Sequence, residues 1–134
     1  MIDHLSIIVG DIERSRAFYD AVMPTLGHER LMDIEEADFV ASGYGPAGSH
    51  EPGFWIGLGH DAPGGGAPAP EGQHIAFASA GRAPVDAFHA AGLAAGGQDN
   101  GPPGIRAQYH ENYYACFLID PDGHHIEAVC HLPA

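Results

Sequence analysis

Glu127 is the residue whose setting demands chemistry. It stands in the run His124-His125-Ile126-Glu127-Ala128-Val129, which reads as a β-strand. Side chains alternate across a strand, so Glu127 shares a face with His125 and Val129, while Ile126, Ala128 and Cys130 point the other way. A carboxylate flanked by apolar residues is costly to bury unless something positive binds it. An internal repeat supplies the partners. Comparing each residue with the one 70 positions later pairs His4 with His74, Ala17-Phe18 with Ala87-Phe88, Gly27 with Gly97, Tyr44 with Tyr114, Gly53 with Gly123 and Ile56 with Ile126. Two neutral imidazoles and one carboxylate form a set that holds Fe(II), Mn(II), Ni(II), Co(II) or Zn(II) and leaves coordination positions open for substrate.

The elements that must position these residues follow the same repeat. Ile2 to Val9 is a β-rich run that sets His4, Ser6 and Ile8 on one face and Leu5, Ile7 and Val9 on the other. Asp11 is placed to cap a helix in which Ile12, Ser15, Phe18, Tyr19 and Val22 recur at helical spacing, until Pro24 and Gly27 stop it. Strands are expected at 29–34, 38–42 and 54–58, with a loop over 44–52. Gly- and Pro-rich residues 60–72 read as a linker; Gly64-Gly65-Gly66 lacks the Lys-Ser/Thr of a phosphate loop. The second module then repeats the plan: a strand over 73–78, and a helix opened by Pro84 with Val85, Phe88 and Leu93 inward, ending at Gly96-Gly97. Residues 98–108 hold two Pro and two Gly, so only their last residues are expected to be strand. Asp120-Pro121-Asp122-Gly123 reads as a type I turn that closes a hairpin. The pattern is βαβββ twice, an α+β chain with module 1 at about 1–59 and module 2 at about 73–134.

Size and charge narrow the classes of function. A chain of 134 residues with 45% hydrophobic content supports one core, so the modules belong to a single domain, 1–134. The net charge is −13, with five Arg and no Lys, which makes nucleic acid and acidic membrane surfaces poor partners. No apolar run reaches transmembrane length and the N-terminus has no leader pattern. Cys116 and Cys130 fit neither a CxxC metal site nor a disulfide framework, and a reduced, cytoplasmic protein is expected. His28, His50, His60 and His89 fall on loops or a helix and read as solvated; His125 shares the face of Glu127.

Asp3-His4-Leu5, Gln73-His74-Ile75 and Asp120-Pro121-Asp122-Gly123-His124-His125-Ile126-Glu127, set in a duplicated βαβββ pattern, resemble the vicinal-oxygen-chelate superfamily of glyoxalase I, bleomycin-resistance proteins and type I extradiol dioxygenases. The resemblance covers nearly the whole chain. It implies a curved, cup-shaped mixed β-sheet with helices outside, and His4, His74 and Glu127 as ligands of a divalent metal. It also implies a homodimer in which some relatives build each cup from two chains. His110 stands where the dioxygenase signature carries a His, but Phe117 replaces that signature's Tyr, and Tyr113, on the face of Phe117, is the available hydroxyl. Gly57 stands where the repeat would place a fourth carboxylate ligand, which argues against a standard glyoxalase I.

Two functions follow. The first is a metal-dependent lyase, isomerase or dioxygenase acting on a small substrate that chelates through oxygens, with His110 and Tyr113 as catalytic groups and Trp55, Phe117 and His125 in the pocket. The second is a metal-free binder of the bleomycin-resistance type, in which Trp55 and the surplus of carboxylates capture a cationic drug.

Overall fold

Apolar periodicity and turn chemistry account for most of the elements of the computed structural model, which describes residues 1–59 and 69–134. The first module runs β1 (Leu5–Val9), α1 (Ile12–Val22), a 3-10 turn (Met23–Leu26), β2 (His28–Glu36), β3 (Phe39–Pro46) and β4 (Phe54–Leu58). The second runs β5 (His74–Ala78), α2 (Arg82–Ala94), β6 (Gln98–Ile105), β7 (Tyr114–Ile119) and β8 (His125–Cys130). Each module forms its own four-stranded mixed sheet, ordered β1-β4-β3-β2 and β5-β8-β7-β6. In both, the first and last strands pair in parallel and the rest are antiparallel. The α+β pattern of two tandem βαβββ modules is therefore present.

Asp11 caps α1 by accepting the Arg14 N–H at 3.0 Å, satisfying one of the donors a helix start leaves open. Gly27 ends the following turn at φ 80°, a left-handed conformation that favours glycine. The core lies between the helices and the inner faces of both sheets, where Phe18, Tyr19, Val22, Val85, Phe88 and Leu118 form one buried cluster with Ile7, Val9, Ile56 and Ile126. An aromatic chain crosses the modules: Tyr19 to Phe54 at 5.0 Å, Phe54 to Phe77 at 5.1 Å and Phe77 to Phe88 at 6.2 Å between ring centroids.

The Asp-Pro-Asp-Gly turn does more than close the β7–β8 hairpin. Gly123 sits at φ 92° and its N–H donates to the Asp120 carbonyl at 3.0 Å, as the turn reading requires. Its side chains then dock on the first module. Asp122 accepts from the Gly10 N–H at 2.8 Å, the Arg14 Nη2 at 2.9 Å and the Ser15 hydroxyl at 3.0 Å. Tyr19 donates its hydroxyl to Asp120 at 2.7 Å, and the His124 Nε2 lies 2.7 Å from the Ile8 carbonyl. Burial of the Tyr19 phenol, and then the Asp120 carboxylate to which it donates, push it well above its ordinary value.

Several local expectations are corrected. His4 precedes β1 rather than lying within it, because the ladder to β4 begins at Leu5. The loop expected from Tyr44 starts later: β3 continues to Pro46, with Tyr44 buried and its hydroxyl 2.9 Å from Asp20. Residues 98–105 form β6 despite Pro102 and Pro103. β6 is the sheet edge, where a missing N–H costs no ladder bond, and its pairing with β7 shifts register twice. On α2, Val85, Phe88 and Gly92 face the core while Leu93 is exposed, since a residue five positions after Phe88 has rotated off the buried stripe. His89 is not solvated; its Nε2 pairs with Asp99 at 2.8 Å, which holds that carboxyl below its ordinary range. The linker expected over 60–72 falls mostly on residues 60–68, outside the described residues, as do His60 and the Gly64–Gly66 triplet.

Candidate functional site

β8 carries Glu127 into the second sheet, with Ala76 of β5 and Phe117 of β7 as its register partners. Ile126 and Ala128 pack into the core, so the carboxylate points to the opposite face. There it is 1% exposed, and no arginine or terminal amine pairs with it among the described residues. Its partners are a ring and a phenol. His74, at the start of β5, places Nε2 3.2 Å from Glu127 Oε2, and Tyr113 donates its hydroxyl to Glu127 Oε1. Burial and the bond to Glu127 together push the Tyr113 phenol up to about 12, so it holds its proton at neutral pH.

These groups line a cavity of about 370 Å³, whose wall also includes Gln73, Asn100, Tyr109, Phe117 and His125. Phe117 and His125 thus stand with His74, Tyr113 and Glu127, while His110 stands behind Tyr113. Its Nδ1 accepts the Asn112 N–H at 3.1 Å, which leaves the proton of the neutral ring on Nε2, facing His131 Nδ1 at 2.7 Å. Tyr109, His110 and His131 all pack on the Tyr113 ring, at 4.8, 5.5 and 5.2 Å between centroids. Cys116, on the far side of β7, contacts the Val85 carbonyl at 3.5 Å, and burial lifts its thiol to about 11.

His4 and Trp55 belong to the other module. The His4 side chain is more than half exposed, with Nδ1 2.5 Å from Asp3 and Nε2 without a partner among the described residues. Trp55 lines a separate, largely apolar cavity of about 220 Å³ with Ile8, Phe39, Ala41 and Gly57. A Cβ at Gly57 would lie 3.2 Å from the Val40 carbonyl, so the strand is closely approached where a fourth ligand would have been expected. Within one chain, His74 and Glu127 come together and His4 does not join them. Among the described residues no three His, Cys, Asp or Glu side chains are grouped so that they could hold one metal ion.

Among the wall residues missed by sequence reasoning are Asn100 and Tyr109. Asn100 lies on the β6 stretch whose prolines and glycines disguised a strand; Tyr109 lies in the turn before β7, where strand alternation assigns no face. No helix among the described residues is long and apolar enough to cross a membrane.

Residues 1–128 match the family model described as the Glyoxalase/Bleomycin resistance protein/Dioxygenase superfamily. The chain is 32% identical to a glyoxalase/bleomycin resistance protein from Albidiferax ferrireducens T118, over 98% of both chains, with a TM-score of 0.74. It also resembles a glyoxylase/bleomycin resistance protein/dioxygenase domain from Frankia sp. EAN1pec at 17% identity, over 97% of this chain and 96% of that one, with a TM-score of 0.72. Glyoxalase I from Zea mays superposes on 96% of the chain at 19% identity, with a TM-score of 0.67. The aligned region is 45% of that enzyme, and at such identity the likeness concerns the fold alone. No curated protein matches the chain.

Proposed function

The chain belongs to the Glyoxalase/Bleomycin resistance protein/Dioxygenase superfamily, and within it we propose that this protein is a divalent-metal-dependent enzyme whose small substrate chelates the metal through oxygens. One observation carries the proposal: a buried carboxylate that no arginine or terminal amine pairs with among the described residues, faced by an imidazole nitrogen at 3.2 Å. Two donors bound at about 2.1 Å to one ion lie about 3.0 Å apart at a right angle and about 3.4 Å apart at the tetrahedral angle. The separation of 3.2 Å falls between them, so His74 Nε2 and Glu127 Oε2 fit adjacent positions around one ion.

His4 is the third donor, and a second copy of the chain supplies it. Its Nε2 has no partner among the described residues, and the Asp3 carboxylate at Nδ1 orients the ring, as the outer nitrogen's partner does in metal-binding imidazoles. The protein is accordingly a homodimer with each site shared between chains, and Trp55 enters the pocket from the same partner module. A bound divalent ion would polarise the substrate oxygens and stabilise negative charge developing on them. Tyr113 orients Glu127 by donating its single O–H to Oε1, and its phenol oxygen at the cavity wall can accept a hydrogen bond from a substrate donor. His110 acts one layer back, by holding the Tyr113 ring, and Phe117 and His125 shape the wall. With Phe117 in place of the signature tyrosine, turnover of simple catechols is poor, and a lyase, isomerase or unusual oxygenase reaction on a small oxygenated metabolite is favoured. The setting is a reducing cytoplasm, consistent with two free, buried thiols.

Metal analysis of protein purified without chelator tests the reading. About one divalent ion per chain is expected, lost in His74→Ala and in Glu127→Ala. Wild-type protein without metal that still bound cationic aromatic drugs would favour ligand capture instead, with the apolar wall around Trp55 as the binding surface.

A further inference from the structure

The disposition of the five arginines is uneven. Arg14 pairs with Asp122 at 2.9 Å, Arg16 with Glu13 and Glu35 at 2.7 and 3.0 Å, and Arg30 with Asp20 at 3.1 Å. Arg82 lies over the Tyr114 ring, on the helix-facing side of β7. Arg106 is the remaining one. It is half-buried, and among the described residues it has no carboxylate partner, although the chain carries a net charge of −13. Its guanidinium carbon lies 5.3 Å from the centroid of the ring of Phe117, which pairs with Glu127 across the β7–β8 ladder. Nη2 donates to the Pro102 carbonyl at 2.6 Å, anchoring one corner of the fork and leaving its other donors without an acceptor among the described residues.

The backbone beneath Arg106 is made for that posture. Gly101 pairs with Phe117 across the ladder at φ 148°; a Cβ there would lie 2.9 Å from Phe117 Cδ2 and 3.3 Å from Arg106 Nη2. At Gly104 a Cβ would lie 3.1 Å from Arg106 Nη1. Two glycines therefore open the space in which the guanidinium folds back along β6 onto the ring that walls the Glu127 cavity. Stacking leaves the edge of the fork free, and that edge matches a carboxylate through two parallel hydrogen bonds. A cavity containing Glu127 in a strongly acidic protein repels anions, so an anionic substrate group needs a local cation, and Arg106 is the one beside the wall.

We infer that Arg106 is the anion-recognising residue of this site and that the substrate carries a carboxylate near its metal-chelating oxygens. The inference rests on the proposed metal reading for the chelating oxygens, and on Arg106 alone for the carboxylate.

Two probes separate these parts: catechol, which has the chelating oxygens alone, and 3,4-dihydroxybenzoate, which adds a carboxylate. Zn(II)-loaded protein is expected to bind 3,4-dihydroxybenzoate about tenfold more tightly than catechol, as a single charge-assisted pair allows. In Arg106→Gln the preference falls to near unity with catechol affinity unchanged, and Arg106→Lys recovers part of it. An equal preference in wild type and Arg106→Gln overturns the inference while leaving the metal site intact. If neither probe binds through the metal, benzoate is titrated into metal-free protein and the Arg106 Nε–H resonance is followed by NMR. A shift of that resonance, absent in a titration with benzamide, keeps Arg106 as the anion site although the metal reading fails; no shift overturns it.

Discussion

At the residue scale, Glu127 and Tyr113 act as a pair. The Tyr113 hydroxyl occupies one carboxylate oxygen, so the other faces His74 in a fixed direction. Replacing Tyr113 with Phe keeps the ring among Tyr109, His110 and His131 and removes that bond alone. Zinc affinity measured by competition with a chromophoric chelator should fall about 10- to 100-fold, the range observed when a group supporting a metal ligand is removed. The same bond has an alkaline signature. Tyr113 is raised from 10.0 to about 12, so between those pH values the unfolded chain has released a proton that the folded chain retains. The contribution to stability is complete below pH 10 and is lost as pH rises toward 12. Denaturant midpoints across that window should decline less in Tyr113→Phe than in wild type, and an equal decline would remove the assigned cause. Cys116, lifted to about 11 and buried, should react with alkylating reagents at pH 8 only on the timescale of unfolding.

At the scale of elements, α2 lies so close to β7 that Gly92 has no room for a side chain. A Cβ there would sit 2.3 Å from Leu118 Cδ1, and Leu118 is fully buried. Gly92→Ala gains about 1 kcal/mol of helix propensity but overpacks the core at about 1 to 3 kcal/mol. A net loss in thermal stability is expected, relieved in the double variant with Leu118→Val. Much of this scale was legible in the sequence. Asp11, Pro24 and Gly27 marked the bounds of α1, and period-two alternation separated Glu127 from Ile126 and Ala128. β6 was not legible, because an edge strand tolerates the prolines that a central strand excludes. Leu93 misled because hydrophobicity was followed where only the helical angle decides burial. Arg106 was hidden for a further reason: its role depends on glycines that matter only once the chain has folded back over Phe117.

At the scale of the molecule, the hairpin turn of the second module fastens the first. Asp122 holds Gly10, Arg14 and Ser15 at once, so Asp122→Ala should cost about 2 to 3 kcal/mol, because the Gly10 and Ser15 donors it leaves are partly buried. Urea unfolding followed by near- and far-ultraviolet circular dichroism should show one coincident transition at a lower midpoint; separate transitions would mean that the modules are not one cooperative unit. The repeat disclosed His4, His74 and Glu127 together, but it says nothing about which copies of the modules face one another, and in the single chain His4 stands apart. Mixing two inactive variants addresses that arrangement most directly. His4→Ala and Glu127→Ala proteins are each expected to hold no metal. Unfolded together, refolded and freed of excess ion, they should regain metal, because a mixed dimer contains one site with His4 from one chain and His74 with Glu127 from the other. No metal after mixing, while wild-type protein treated alike holds about one ion per chain, would contradict the shared site.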